Sequence, residues 1–181
     1  AKAALYAIQQ EVPQGDIPVM VSATVNDRSG RLLSGHTLDA LYTALQHYPI
    51  PSFGLNCSFG ARDLAPFIEQ LQWVPCAVSI YPNAGLPNEM GQYDESPEYT
   101  AKYIRELAQN GWLNIAGGCC GTTPDHIKAV KEALEGIAPR GIAGYDAACR
   151  AAGGKIADGG TDDAREGNGV AAGEYLSGRG L

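Results

Sequence analysis

The sequence predicts an α/β fold in which parallel strands alternate with helices. Short continuous apolar runs, helical apolar periodicity between them, and capping or breaking residues at the joins all point that way. The runs 18–25, 52–56, 76–81 and 113–116 read as strands without polar alternation, which suits parallel strands covered on both faces.

The elements follow in order. Ala1, Ala4, Leu5 and Ile8 share one helical face and look like the end of a helix. After the first strand, Leu38, Leu41, Tyr42 and Leu45 keep the i, i+3, i+4, i+7 pattern and predict a helix over 38–46. Leu64, Phe67, Ile68 and Leu71 predict the next, over 63–71. Ser96-Pro97 and Thr123-Pro124 place a capping hydroxyl before a proline suited to the first helical position. Helices over 97–108 and 124–134 follow, and Asn110-Gly111 marks where the first of them ends. Such alternation with short joins implies right-handed crossovers and helices on one face. From Gly141 glycine becomes frequent and apolar periodicity vanishes, so 141–181 reads as a linker or disordered tail behind a folded domain at 1–140.

Composition limits the function classes. The chain of 181 residues carries a formal net charge of −7 with scattered basic residues, which gives no electrostatic footprint for nucleic acid. No apolar run reaches the roughly 20 residues of a membrane span, and the opening AKAALYAIQQ lacks signal-peptide features. The expectation is a cytoplasmic protein. Five cysteines, an odd count that includes the vicinal pair Cys119-Cys120, argue against an exported disulfide framework and for reduced thiols.

Cys57 directly follows the strand SFGLN, and Cys119-Cys120 follow LNIA through Gly117-Gly118. Reacting groups in parallel α/β sheets gather at the carboxyl ends of strands, so the three sulfurs can meet. Three thiolates with one open position would make a catalytic rather than a structural zinc site. A cysteine after a strand is also a common small core residue, and spacing alone leaves that reading open. Cys76 sits inside an apolar strand and reads as core; Cys149, in the tail, reads as an idle thiol. His47 and His126 read as solvated helix residues and His36 as a loop residue.

The segments SGRLLSG, FGLNCSFG, YPNAGLPN and LNIAGGCCGTTPDHI resemble the zinc-dependent homocysteine S-methyltransferase family from about residue 1 to about residue 140. GGCCGTTP with PNAGLPN is most similar to the homocysteine module of cobalamin-dependent methionine synthases, more than to the betaine- or S-methylmethionine-dependent branches. The resemblance implies a (β/α)8 TIM barrel, of which this chain holds about four βα units, its carboxyl-terminal half. It implies zinc ligation by Cys57, Cys119 and Cys120, and a place for Asn83 beside the metal or substrate. It further implies methyl transfer to the homocysteine thiol, with cobalamin on a separate domain. The partners implied are homocysteine, an amino-terminal half barrel, and folate and cobalamin modules; without them the chain reads as a non-catalytic zinc-binding fragment. A half barrel is also expected to expose apolar residues of 19–25 and 78–80 on its inner face, and to self-associate through its open edges.

Overall fold

The computed structural model describes residues 1–12 and 17–142. Their elements run α1 (Lys2–Glu11), β1 (Met20–Ala23), α2 (Leu38–Leu45), β2 (Ser52–Asn56), α3 (Ala61–Gln70), β3 (Ala77–Tyr81), α4 (Pro97–Gln109), β4 (Ile115–Ala116) and α5 (Pro124–Leu134). The sheet has the order β1-β2-β3-β4 and every pairing is parallel. This is the parallel α/β architecture that the strand–helix alternation predicts, and it matches part of the TIM barrel that the resemblance implies. The tail expected at 141–181 lies outside the described residues from 143 onward. No helix among the described residues is long and apolar enough to cross a membrane.

Local chemistry sets the ends. Ser96 accepts a hydrogen bond from the Tyr99 N–H at 3.3 Å and opens α4 behind Pro97. The chain leaves that helix through Gly111 at φ 71°, a left-handed turn that glycine adopts without steric cost. In α3 the start differs from expectation: Gly60 is the N-cap, so the helix begins at Ala61 rather than Asp63 and encloses Pro66. Buried Ala61, Leu64, Phe67 and Ile68 hold it against the loss of one backbone donor.

One apolar layer joins sheet and helices. Ala23, Phe53, Leu55, Val78 and Ile80 pack with Leu38 and Tyr42 of α2, Leu64 and Ile68 of α3, Ile104 of α4 and Val130 of α5. All four of these helices therefore cover the same face of the sheet. On α1, Leu5 packs with Leu45, Ile50, Val19 and Val21. Below the sheet, Arg140 donates to the carbonyls of Gln72, Val74 and Cys76 and to Gln72 Oε1, closing the unit Ala1–Gly141.

The opposite face corrects the sequence reading. The register aligns Met20 with Ser52, Ser22 with Gly54, and Ser52, Gly54 and Asn56 with Ala77, Ser79 and Tyr81. Side chains alternate along a strand, so this second face is built mainly of small and polar groups. Val78 and Ile80, expected inward, are fully buried under the helices instead. SFGLN and AVSIY alternate after all, with Phe53, Leu55, Val78 and Ile80 toward the helices and Ser52, Gly54, Ala77 and Ser79 away from them, while Met20, Tyr81 and Ile115 are the large residues on the second face.

Gly54 is where this face is tightest: a Cβ there would collide with the Ser79 backbone carbonyl and hydroxyl. Backbone of a paired strand cannot yield cheaply, so Gly54→Ala should destabilise by about 3 kcal/mol or more in urea unfolding. Gly141→Ala, whose methyl would meet nothing within 4 Å, should leave the midpoint unchanged.

Candidate metal centre

The sheet's hydrogen-bond ladder continues past the strand ends and fixes the loops that follow. Cys57 N–H donates to Tyr81 C=O at 3.0 Å and Gly117 N–H to Ile80 C=O at 3.0 Å. Cys119 N–H reaches Pro82 C=O at 2.7 Å, and Asn83 N–H reaches Phe59 C=O at 3.0 Å. The loops after β2, β3 and β4 are thus laced to one another. Ser58 Oγ donates to Val25 C=O and ties in the loop after β1.

This lacing brings three sulfurs together. Cys120 Sγ lies 3.9 Å from Cys57 Sγ and 3.8 Å from Cys119 Sγ. A tetrahedral ion with metal–sulfur bonds of about 2.3 Å separates its ligands by about 3.8 Å, so both distances suit a common metal. Cys57 and Cys119 are in direct sulfur contact, with Cα atoms 5.7 Å apart, so the three sulfurs form one cluster. Metal ligation requires thiolates and belongs to the reduced protein. Cys120 is exposed and free. Cys76 is buried away from the cluster, and burial pushes its thiol pKa up, as suits an inert core cysteine. Cys149 lies outside the described residues.

Backbone conformation is spent on this convergence. Cys57 at φ 59° and Ser58 at φ 68° are non-glycine residues in the left-handed region, a local cost of about 1 kcal/mol each. Of Gly117, Gly118 and Gly121 around the cysteine pair, only Gly121 has a positive φ, at 75°. Gly117 and Gly118 supply room: a Cβ would meet the Tyr81 ring at 2.7 Å and Thr122 Oγ1 at 2.5 Å respectively.

Asn83 is buried, and its Oδ1 accepts the Cys120 N–H at 3.1 Å. Ala84 N–H donates to Cys120 C=O at 2.9 Å, so both sides of the Cys120 peptide are held by the turn after β3. His36 is exposed beside Ser34, and His47 is exposed against the Tyr48 ring. His126 is not the solvated residue expected. It is 6% exposed, with Nδ1 facing Thr123 N–H at 3.2 Å and Nε2 facing Glu95 C=O at 2.9 Å. Its position as the third residue of α5 completes a capping box, a role usually filled by Glu or Gln, and this hid it from sequence reading.

Two further residues had no sequence signal. Tyr93 lies over Gly121, and burial followed by the neighbouring Cys120 thiol holds its phenol pKa above the ordinary value. Glu95 packs against Gly60 and Gly85, and its Oε2 is buried without a hydrogen-bond partner. Burial first, and the Asp63 carboxylate second, raise its pKa.

A family model described as homocysteine S-methyltransferase matches residues 1–134. Three structures of the homocysteine methyltransferase MmuM from Escherichia coli share the fold at 22% identity. The oxidized form gives a TM-score of 0.58 and the metallated form 0.56, each over 72% of this chain and 40% of that one. The apo form gives 0.57 over 73% and 44%. The chain therefore spans about two fifths of the length of these structures.

Reduced protein should take up about one zinc ion per chain, measured by elemental analysis after dialysis. Cys57→Ser, Cys119→Ser and Cys120→Ser should each lose most of it, while Cys76→Ser and Cys149→Ser keep it. Loss in Cys76→Ser matching that in Cys57→Ser would refute the cluster as the metal site. Glu95 gives a pH test. Its folded pKa is raised, so the folded chain holds that proton more tightly and loses stability as pH climbs from 4.5 through the raised value. Glu95→Gln should therefore be more stable than the parent at neutral pH, with the difference shrinking toward pH 4.5 in thermal melts.

Proposed function

The chain belongs to the homocysteine S-methyltransferase family, and from that premise we propose that it carries the thiol-activating zinc site of a methionine-forming methyltransferase. The observation that carries this reading is the convergence of the Cys57, Cys119 and Cys120 sulfurs at strand ends, with Cys120 at 3.8 and 3.9 Å from its partners.

The donor set fits the ion. Three sulfur ligands are the number that leaves one tetrahedral position for a substrate. Bound there, zinc supplies the positive charge that keeps a substrate thiol deprotonated near neutral pH. Cys57, Cys119 and Cys120 would hold the ion as thiolates and bring more negative charge than a divalent ion carries, which would leave electron density on a homocysteine sulfur. Such a sulfur could take a methyl group, with a carbon–sulfur bond formed as the donor–methyl bond broke and the thiol proton lost to solvent beforehand. Asn83 Oδ1 accepts the Cys120 N–H, which supports a place for it near substrate. Ser22 Oγ donates to Asn56 Oδ1 at 2.8 Å, and Asn56 directly precedes Cys57.

GGCCGTTP and PNAGLPN favour the cobalamin-dependent branch, with methylcobalamin presented by another module, over a donor such as S-methylmethionine. In this reading the remaining strands of the barrel grip the amino and carboxylate ends of homocysteine, and a cytoplasmic setting keeps the thiols reduced. The domain assignment 1–140 belongs to the same proposal, as does the non-catalytic alternative, in which the chain binds zinc without turning over alone.

Cobalt(II) substituted for zinc in the reduced protein provides the test. Homocysteine should shift the sulfur-to-cobalt absorption bands, whereas methionine and serine should not; an unchanged spectrum up to millimolar homocysteine would defeat the proposal. Methionine formation from homocysteine with methylcobalamin, against S-methylmethionine, then separates the branches, and negligible turnover with either supports the non-catalytic alternative.

A further inference from the structure

Segment 84–95 rises from the end of β3 and returns to its own base. Glu95 N–H donates to Ala84 C=O at 3.2 Å, and Pro87 bridges Tyr93 in antiparallel fashion. Inside the loop, Asn88 Oδ1 accepts from the N–H groups of Met90 and Gln92 at 2.9 Å, and Asn88 Nδ2 donates to Asp94 at 2.9 Å. The loop is braced within itself, so it behaves as one unit. The base of that unit holds the Cys120 peptide on both sides, through Ala84 N–H and Asn83 Oδ1.

We infer that His126 is a positioning residue that locks this loop to the cysteine turn and thereby holds Cys120 in place for the metal. The inference rests on reading the three cysteines as the metal site. Its physical content is a closed circuit. The chain runs covalently from Cys120 to Thr123 and into α5; His126 Nε2 donates to Glu95 C=O; Glu95 N–H donates to Ala84 C=O; and Ala84 N–H donates to Cys120 C=O. Every link outside the covalent chain is a hydrogen bond to a backbone carbonyl, and the one side chain that closes the ring is His126.

The tautomer follows from the partners. Thr123 N–H is a donor, so Nδ1 accepts; Glu95 C=O is an acceptor, so Nε2 carries the hydrogen. Imidazole places these two functions on opposite sides of a rigid ring and can span from α5 to the loop. Glutamine at the same position can satisfy the capping box, but its oxygen and nitrogen leave one carbon and cannot reach both partners. The capping role and the bridging role can therefore be separated by substitution.

His126→Gln keeps the cap and cuts the bridge; Thr123→Ala removes the capping hydroxyl, with its 2.9 Å contact to Nδ1, and keeps the Nε2 bridge to Glu95 C=O and the Thr123 N–H bond to Nδ1. Amide hydrogen exchange of the reduced, metal-free protein reads the circuit without any metal. His126→Gln should speed exchange at Ala84, Cys119 and Cys120 about fivefold, the loss of one hydrogen bond, and Thr123→Ala should leave these amides at parental rates. Cobalt(II) affinity, measured against a chelator, should fall about tenfold in His126→Gln and hold in Thr123→Ala. Parental exchange in His126→Gln, or equal acceleration in Thr123→Ala, overturns the inference, because capping would then explain His126 fully. Faster exchange with parental cobalt affinity also overturns it, since the bridge would not reach the metal. If the parent binds no cobalt at all, the proposed function fails on its own, and the exchange rates alone judge whether His126 holds the turn.

Discussion

The parallel ladder between β2, β3 and β4 is the constraint on which the rest depends, because it does not stop where the strands do. Its last rungs join Cys57 N–H to Tyr81 C=O, Gly117 N–H to Ile80 C=O and Cys119 N–H to Pro82 C=O. Loops on separate strands are normally independent, and three side chains on independent loops would meet only at a large entropic cost. Here the backbone register that stacks Phe53 on Val78 and Leu55 on Ile80 also sets the height at which each cysteine leaves the sheet. The core beneath and the sulfur cluster above are consequences of one hydrogen-bond pattern.

That pattern explains where the local strain sits. Cys57 and Ser58 occupy the left-handed region because the chain must turn sharply after Asn56, before Gly60 opens α3. At Cys57 a glycine would relieve the φ cost but remove the sulfur, so the strain persists there. Across the cluster the opposite solution appears: Gly117, Gly118 and Gly121 leave room for Tyr81, Thr122 and Tyr93. Strain and close packing both collect at the mouth of the sheet, where surrounding hydrogen bonds over-determine the conformation.

Sequence reading saw the elements well and the faces poorly. Strand order, parallel pairing and the ends of α4 and α5 follow from apolar periodicity, Ser96-Pro97, Thr123-Pro124 and Gly111, each a local signal with a local cause. The alternation in SFGLN and AVSIY escaped because glycine, alanine and serine count as neither clearly apolar nor clearly polar. His126 was misplaced because a residue in the first turn of a helix is usually solvated, and only tertiary structure brings Glu95 C=O to its ring. Tyr93 and Glu95 carry no motif. Their roles arise from loop 84–95 folding back over Gly121, Gly60 and Gly85, contacts between segments far apart in the chain.

The small, polar face of the sheet has its own consequence for how the chain stands alone. A half barrel with large aliphatic residues on its inner face would lose on the order of 10 kcal/mol when several hundred Å² of them met water. Ser22, Ser52, Gly54, Asn56, Ala77 and Ser79 lessen that surface, with only Met20, Tyr81 and Ile115 as large groups in register with them, while Phe53, Leu55, Val78 and Ile80 are fully buried under the helices. The main apolar cluster therefore lies within the sheet–helix layer. What stays unsatisfied is directional: the backbone groups along the outer edges of β1 and β4, and a groove of about 380 Å³ between Ala116 and the Ile127, Val130 and Leu134 side of α5. Edges of this kind recruit a strand rather than an apolar cluster, since N–H and C=O groups are met only by backbone in register. Association at the flanks of the sheet is thus set by strand pairing.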